Sequence, residues 1–454
     1  MSRLDIIDAT FHFASKDVSL DQYVLFAFEF EQGKSPSFDA VSEVLGSRAA
    51  RISDLRKKIA QVPGNLDYPR WVRADSPMSA HIHEASPNDR SWDGIQHYLV
   101  DLLTRPVDAT RQAWKVHVVR RVTGVPRAAG EAIVVVFQVS HALTDGKGAT
   151  RLARALFGDA APSSPDAPQR TSLLPTAVRS AVALPWRVAA SRLGALRARR
   201  VYARTRDGGA AGRGTLRPGI RGNADATNRR VVHMITCAPG AFRRSGLSVT
   251  TLGLTAVGVA TRHFLDGHGE QTPPTLNALV PMAIPDHVDW PAANRVVNGT
   301  VDLHPDIDDT VERAEAIRAS LSKSRSDVTD PKLIRWISAE NMIPAPIYLA
   351  VRRRRAKKFT STPRTPEKVL TNVTVVSVDR GKKDVELLGA PPVLSAGFPM
   401  LADGRSVTHG FYGLGDTVTV CVVACPDTFP DHERYAEILE QAVEDVSADT
   451  AVTD

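Results

Sequence analysis

The sequence predicts an α/β fold built as two similar halves, a pseudo-duplicated architecture. Three observations lead there. Strand-like and helix-like segments alternate along the chain, the two halves have similar element content, and 454 residues exceed what one ordinary core holds. Residues 1–165 form the expected first subdomain, 166–229 a basic crossover linker and 230–454 the second subdomain.

In the first half, Tyr23 to Phe30 is a strand-like apolar run. Phe38, Val41, Leu45, Ile52, Leu55 and Ile59 then recur at helical spacing and predict one helix. Trp114 to Val122 alternates as a strand. Glu131 to Val139 is almost wholly apolar and β-branched, which suits a central strand covered on both faces. Ala149, Leu152, Ala153, Leu156 and Phe157 follow the spacing of a helix packed on a sheet.

From Ala160 to Gln169 the chain turns to Pro, Ser, Asp and Ala, a linker composition. A basic, alanine-rich helical stretch runs on to Arg206, and a Gly/Arg-rich segment to Arg229. The second half resumes with a strand over Val231–Cys237, a helix over Val249–Phe264 and a strand over Thr275–Val280. Asp309-Thr-Val-Glu312 resembles a capping box opening a helix with Ala314, Ile317 and Leu321 on one face. Strands are expected over Val369–Val378 and Asp416–Val423, and a closing helix over Asp431–Val446.

Composition excludes several classes. With 43% hydrophobic and 24% charged residues the chain is globular. It lacks an apolar run long enough for a membrane span, and acidic residues stand where a secretory signal would be apolar, so the cytoplasm is the expected location. Cys421 and Cys425 fall about 13 Å apart along a strand, out of disulfide reach; with Cys237 they read as buried thiols. The net charge of +7 gathers in Arg187–Arg213 and Arg352–Lys358. These clusters read either as solvated faces or as docking sites for a phosphorylated cofactor, an acidic carrier protein or an anionic membrane surface. Nucleic acid is not an expected partner, because no aromatic platform or DNA-binding motif accompanies the charge. His81-Ile-His83 and the pair His263 and His268 lack a completing set of ligands, so no metal is expected.

The chemistry points to His141, in Ser140-His141-Ala142-Leu143-Thr144-Asp145-Gly146. It follows the buried strand and precedes a helix, where α/β folds hold functional side chains on rigid backbone. An imidazole is well matched to accepting a proton from a hydroxyl or amine near neutral pH. Asp145 can cap the following helix, and Gly146 and Gly148 allow close approach of backbone or ligand.

The stretch Phe-Gln-Val-Ser-His-Ala-Leu-Thr-Asp-Gly-Lys-Gly-Ala-Thr-Arg-Leu resembles the active-site segment of the wax ester synthase/diacylglycerol acyltransferase family. That family belongs to the chloramphenicol acetyltransferase-like superfamily, with peptide-synthetase condensation domains. Leu4-Asp5-Ile-Ile-Asp-Ala-Thr-Phe is similar to the family's opening, and Pro106 to His117, with Trp114, to its Pro-Leu-Trp segment. Ala293-Asn294-Arg295-Val296 resembles its Gly-Asn-Arg segment, and Leu370-Thr-Asn372-Val373 its Ser-Asn-Val segment. The resemblance implies two chloramphenicol acetyltransferase-like subdomains with an active-site tunnel between them. It implies that His141 is the general base for direct attack of the acceptor on an acyl thioester, without a covalent acyl-enzyme. Asp145 would be mainly structural, pairing with an arginine. Gly146, Ser140 and Asn372 would contribute to substrate binding, with Asn372 as a donor to the oxyanion.

The sequence departs from the family at three places. Ser140 replaces the first of two adjacent histidines, Thr250-Thr251 stand where the family has Asn-Asp, and Thr374-Val375 where it has Pro-Gly. The expected reaction is transfer of an acyl group from acyl-CoA or acyl carrier protein to a hydroxyl or amine. The setting is either tailoring of a specialised metabolite or wax ester and triacylglycerol synthesis. A non-catalytic scaffold on the same fold, and a condensation or cyclisation, stay open. No bound cofactor is expected. The partners expected are the thioester donor, a small acceptor, a carrier protein and a peripheral membrane contact, with the protein itself a monomer.

Overall fold

The computed structural model describes residues 2–158, 172–205, 216–243, 246–331, 333, 334, 337, 343–356, 366–401 and 404–450. The linker stretch Ala160–Gln169 and the lysines Lys357 and Lys358 lie outside the described residues.

Two large sheets organise the described chain. The first has five strands in the order Pro392–Ala396, Gln22–Phe30, Glu131–Val139, Trp114–Val122 and Ile82–Glu84. The expected central strand is therefore in the middle. Its neighbours run antiparallel to it, with Phe26 opposite Val135 and Val116 opposite Phe137. The second sheet has six strands, ordered Val296–Asp302, Asn277–Ala283, Val373–Asp379, Val407–Leu414, Thr417–Ala424 and Val231–Thr236. Strand Pro392–Ala396 belongs to the second half of the sequence yet completes the first sheet, pairing with Gln22–Phe30.

Alternation along the central strands explains their unbroken apolar character. Val24, Phe26 and Phe28 face a core shared with Leu152, Leu156 and Phe157 of the helix Gly146–Phe157. Leu25 and Ala27, pointing the other way, enter a core with Tyr412, Cys421 and Val423 of the second sheet. Successive side chains of a strand point to opposite faces, so a strand buried on both faces is apolar on both, apart from Gln138, whose amide is buried and hydrogen-bonded to Asp21 and the Arg105 carbonyl. All three cysteines are buried and unpaired. Arg380, also buried, ties the halves further: it donates to Thr150 Oγ1 and to the carbonyls of Tyr23 and Ala396 and lies over the Tyr412 ring.

The expected helix through Ile59 ends early. It spans Phe38–Ala49, followed by a 3-10 turn at Ser53–Arg56 and a strand at Lys57–Ala60. Ile52, Leu55 and Ile59 are all buried. Their spacing of three and four residues reports burial and is met here by a turn and a strand. The strand is fixed by pairing with Arg70–Arg73 and by the bond from Ile59 N–H to the Ala109 carbonyl. The helix Thr310–Val328 starts as expected, with Asp309 accepting from the Glu312 N–H. The strands Val296–Asp302, Pro392–Ala396 and Val407–Leu414 and the helices Trp92–Leu103 and Ala345–Ala356 were not anticipated.

Candidate functional site

Strand Glu131–Val139 delivers the chain to Ser140, whose N–H bonds the Ala113 carbonyl. A tight turn follows: Leu143 N–H donates to the Ser140 carbonyl, and Ser140 Oγ accepts from Ala142 N–H. The Ser140 hydroxyl is thus part of the turn, and the residue is buried. Asp145 is the N-cap of the helix Gly146–Phe157, its Oδ1 accepting from Gly148 N–H at 2.8 Å.

Of the two glycines, Gly148 is the constrained one. A Cβ there would lie 1.7 Å from Thr144 Oγ1, whereas at Gly146 the nearest atoms stand at ordinary contact, 3.6 Å. The helix can pack tightly onto its own cap only because Gly148 has no side chain.

The second half closes over this turn through Asn294 and Arg295. His141 Nδ1 lies 2.7 Å from Asn294 Oδ1. The Asn294 amide nitrogen donates to the His141 carbonyl at 2.8 Å and to Asp8 Oδ1 at 2.7 Å. With Nδ2 engaged by two acceptors, Oδ1 must be the atom facing the ring, so Nδ1 carries the proton and Nε2 is left with its lone pair. Asp8, in the first helix Ile6–Ala14, also accepts from the backbone N–H groups of Asn294 and Ala293. Trp290 Nε1 donates to the Asn294 carbonyl and completes the loop's support.

Asp145 departs from expectation in its partner. Its Oδ2 accepts from the backbone N–H of Arg295 at 2.8 Å, while the Arg295 guanidinium is spent on the carbonyls of Pro285 and Val288. The carboxylate therefore bridges a helix start and a backbone amide of the other half, with no guanidinium as partner among the described residues.

Phe11 stacks on the His141 ring, centroids 3.7 Å apart and planes 2° from parallel. Burial lowers the His141 pKa from its ordinary 6.5, opposed by bonds from its own carbonyl and Asn294 and by the Asp145 charge. The shift favours the neutral imidazole, the form a base requires. Burial raises Asp8 to about 6 against the pull of the N–H donors around it.

Asn372 does not join this cluster. Its Oδ1 accepts from Asn277 N–H and its Nδ2 donates to the Pro218 carbonyl, so both ends of the amide anchor strands. Thr251 also has a local duty: Ser248 caps the helix Val249–Gly267 by accepting from Thr251 N–H, and the two hydroxyls lie 2.9 Å apart. His81 pairs with the Trp114 carbonyl and Ser76 rather than with His83. Among the described residues no group of three His, Cys, Asp or Glu side chains is arranged to hold a metal, and no helix is long and apolar enough to cross a membrane.

Asp8 and Asn294 are the site residues that sequence reasoning missed. Both lie in segments that resemble family motifs, but two polar residues 286 positions apart, one on a helix and one in a loop, carry no periodic signal of their contact.

Comparison with known proteins places the chain in a family. Residues 4–233 match the wax ester synthase/diacylglycerol acyltransferase catalytic domain, and residues 292–447 match the WS/DGAT C-terminal domain. Proteins of Mycobacterium tuberculosis and Mycobacterium bovis named for diacylglycerol O-acyltransferase activity are each 22% identical over 407 residues, 85% of both chains. The wax ester synthase/diacylglycerol acyltransferase of Marinobacter aquaeolei has the same fold, with a TM-score of 0.65 at 17% identity over 100% of both chains. The trichothecene 15-O-acetyltransferase of Fusarium sporotrichioides is similar in fold at a TM-score of 0.58 and 10% identity, over 99% of this chain and 95% of that one. The first condensation domain of the calcium-dependent antibiotic synthetase follows at 0.56 and 11%, over 99% and 97%. With a histidine turn clasped by the second half of the chain, and with both domain matches in order along it, this protein belongs to the wax ester synthase/diacylglycerol acyltransferase family and is an acyltransferase.

Proposed function

We propose that the protein transfers an acyl group from a thioester to an acceptor hydroxyl, with His141 as general base. The observation that carries this reading is the 2.7 Å contact of His141 Nδ1 with Asn294 Oδ1, which aims a neutral ring and leaves Nε2 to take a proton. Nε2 removes the acceptor's proton as its oxygen attacks the thioester carbonyl. The tetrahedral adduct collapses, the C–S bond breaks, and the imidazolium returns the proton to the departing thiolate. The acyl group passes directly to the acceptor and no acyl-enzyme forms.

Asp145 serves the reaction by holding the turn, since both its oxygens are engaged with backbone amides. Ser140 and Gly146 shape the turn beside the ring. Asn372 belongs to the scaffold in this reading, its amide being committed to Asn277 and Pro218. The donor is acyl-CoA or an acyl carrier thioester. The departures at Ser140, Thr250 and Thr251 favour a specialised small-molecule acceptor over a long-chain alcohol or diacylglycerol.

His141→Ala tests the reading. Transfer from acyl thioesters to hydroxyl acceptors should fall by about 10² to 10⁴, the size of a lost general base, with the fold retained by circular dichroism. Near-normal turnover in a well-folded variant would remove His141 from the chemistry.

A further inference from the structure

The helix Leu174–Thr205 is amphipathic in the inverted sense. Two polar residues face the protein: Ser180 Oγ donates to Asp67 Oδ2 at 3.2 Å and Arg187 Nη2 to Asp67 Oδ1 at 3.0 Å, with Ala177 also buried. Six large apolar residues face outward, while Leu184 and Val188 are half-buried. Leu174, Val178, Val182, Trp186, Leu193 and Leu196 are six of the twelve exposed large apolar side chains among the described residues, with Trp186 81% and Val182 76% exposed. At about 100° per residue these six fall within one arc of roughly 120°. A helix whose only neighbour were water would carry the opposite arrangement.

The charge of this helix is of one sign. Residues 174–205 contain seven arginines and no Asp or Glu. Arg179 and Arg192 are exposed. The second basic cluster converges on the same anchor: Tyr68, next to Asp67, donates to the Ile343 carbonyl, and its ring packs at 6.4 Å from Tyr348 of the helix Ala345–Ala356. That helix is likewise free of acids and exposes Val351, Arg353 and Arg354. Two arginine-rich segments far apart in sequence thus flank one small anchor, Asp67–Tyr68.

From this placement we infer that the outer face of Leu174–Thr205, with the adjoining end of Ala345–Ala356, docks on an anionic phospholipid bilayer. Apolar side chains from a helix lying in the interface plane enter the headgroup boundary, a tryptophan is favoured there, and arginines meet the lipid phosphates. The charge selects this occupant over a second copy of the chain, which would bring like-charged arginines together. A phosphate-bearing small molecule would explain the arginines but leave the apolar stripe unused. The helix Ile6–Ala14 connects the face to the site, since Phe13 packs on Tyr68 and Tyr348 and Phe11 on His141. An acyl chain or lipophilic acceptor partitioned in the bilayer would therefore lie on the side from which this helix is reached.

Flotation of the full chain with vesicles of phosphatidylcholine alone, and of phosphatidylcholine mixed with phosphatidylglycerol, tests the inference. The wild type should float with the mixed vesicles, more weakly at high salt, and little with phosphatidylcholine alone. Val182→Ser combined with Trp186→Ser should weaken partitioning by about tenfold or more, while turnover of a water-soluble short-chain thioester stays unchanged. On adding mixed vesicles, tryptophan emission should shift to the blue in the wild type and much less in Trp186→Phe. Equal flotation of wild type and double variant, or no flotation of the wild type, overturns the proposal. A wild-type dimer that the double variant dissociates assigns the face to a second copy, and binding to polyglutamate without vesicle binding assigns it to an acidic protein; both overturn it.

Discussion

Asn294 holds His141 at two points, accepting from the ring at Nδ1 and donating to the backbone carbonyl of the same residue. One amide thereby sets both the position of the turn and the tautomer of its imidazole. The amide is itself fixed by Asp8, so the first helix, the histidine turn and a loop of the second half meet in a single hydrogen-bonded cluster.

Asn294→Leu should therefore act on the chemistry through the ring. Turnover should fall on the order of 10-fold to 100-fold, the cost of a misaimed catalytic group. The acid limb of the pH–rate profile should also move to lower pH. Burial already lowers the His141 pKa, and the Asn294 bond is one of the contacts that raise it; removing that bond lowers it further. A loss of turnover with an unmoved limb would show that Asn294 is only a scaffold residue.

Asp145→Ala should cost stability as well as activity. The cap to Gly148 is worth about 1 kcal/mol, and the bond from Arg295 N–H to the carboxylate adds about 1.5 to 3 kcal/mol. Asp145→Asn keeps an acceptor for the cap and should recover part of the loss. Urea unfolding of the three proteins checks the order. Full stability with abolished activity would mean that the carboxylate touches the reacting groups.

Gly148→Ala should destabilise by about 1 to 3 kcal/mol, because the new methyl collides with Thr144 Oγ1. Adding Thr144→Ala removes the hydroxyl and should restore most of the loss. A double-mutant cycle measures the coupling; additive effects would place the strain elsewhere.

Asp21 gives a stability signal that changes with pH. Burial raises its carboxyl to about 7 from an ordinary 3.8, although Val107 N–H and Gln138 Nε2 both donate to it. A raised pKa means that the folded state prefers the protonated form, so this group's stability is complete below pH 3.8 and is lost as pH rises through 7. Asp21→Asn, neutral throughout, should gain on the wild type between pH 4 and pH 7, by about 2 to 4 kcal/mol at the upper end. Thermal unfolding of both proteins across that range decides it; a constant difference would mean the carboxyl titrates normally.

What the sequence conveyed, it conveyed through local relations. The His141 turn was legible because a buried strand, an N-cap aspartate and a required glycine lie within eighteen consecutive residues, 131–148. Each imposes its conformation on near neighbours. The central strand could be read from its apolar run because burial on both faces favours apolar side chains on each of them. The same reasoning failed beyond Ala49, where Ile52, Leu55 and Ile59 kept a helical spacing while the chain formed a turn and a strand. Periodicity reports which residues avoid water, and several backbone paths satisfy one set of buried positions.

By itself, then, the sequence determined the α/β class, the histidine at the strand end and the cap that follows it, all consequences of contacts between residues close in the chain. Tertiary structure alone decided that Asn294 selects the His141 tautomer, that Asp145 meets the backbone amide of Arg295, and that strand Pro392–Ala396 completes the sheet of the other half. It also decided which side of Leu174–Thr205 faces outward, because Asp67 binds Ser180 and Arg187 from a loop more than a hundred residues earlier. The reason is common to all four. A polar atom in a loop, or a short strand at a sheet edge, has its partner fixed by how the two cores pack together, and nothing in its own neighbourhood along the chain records that choice.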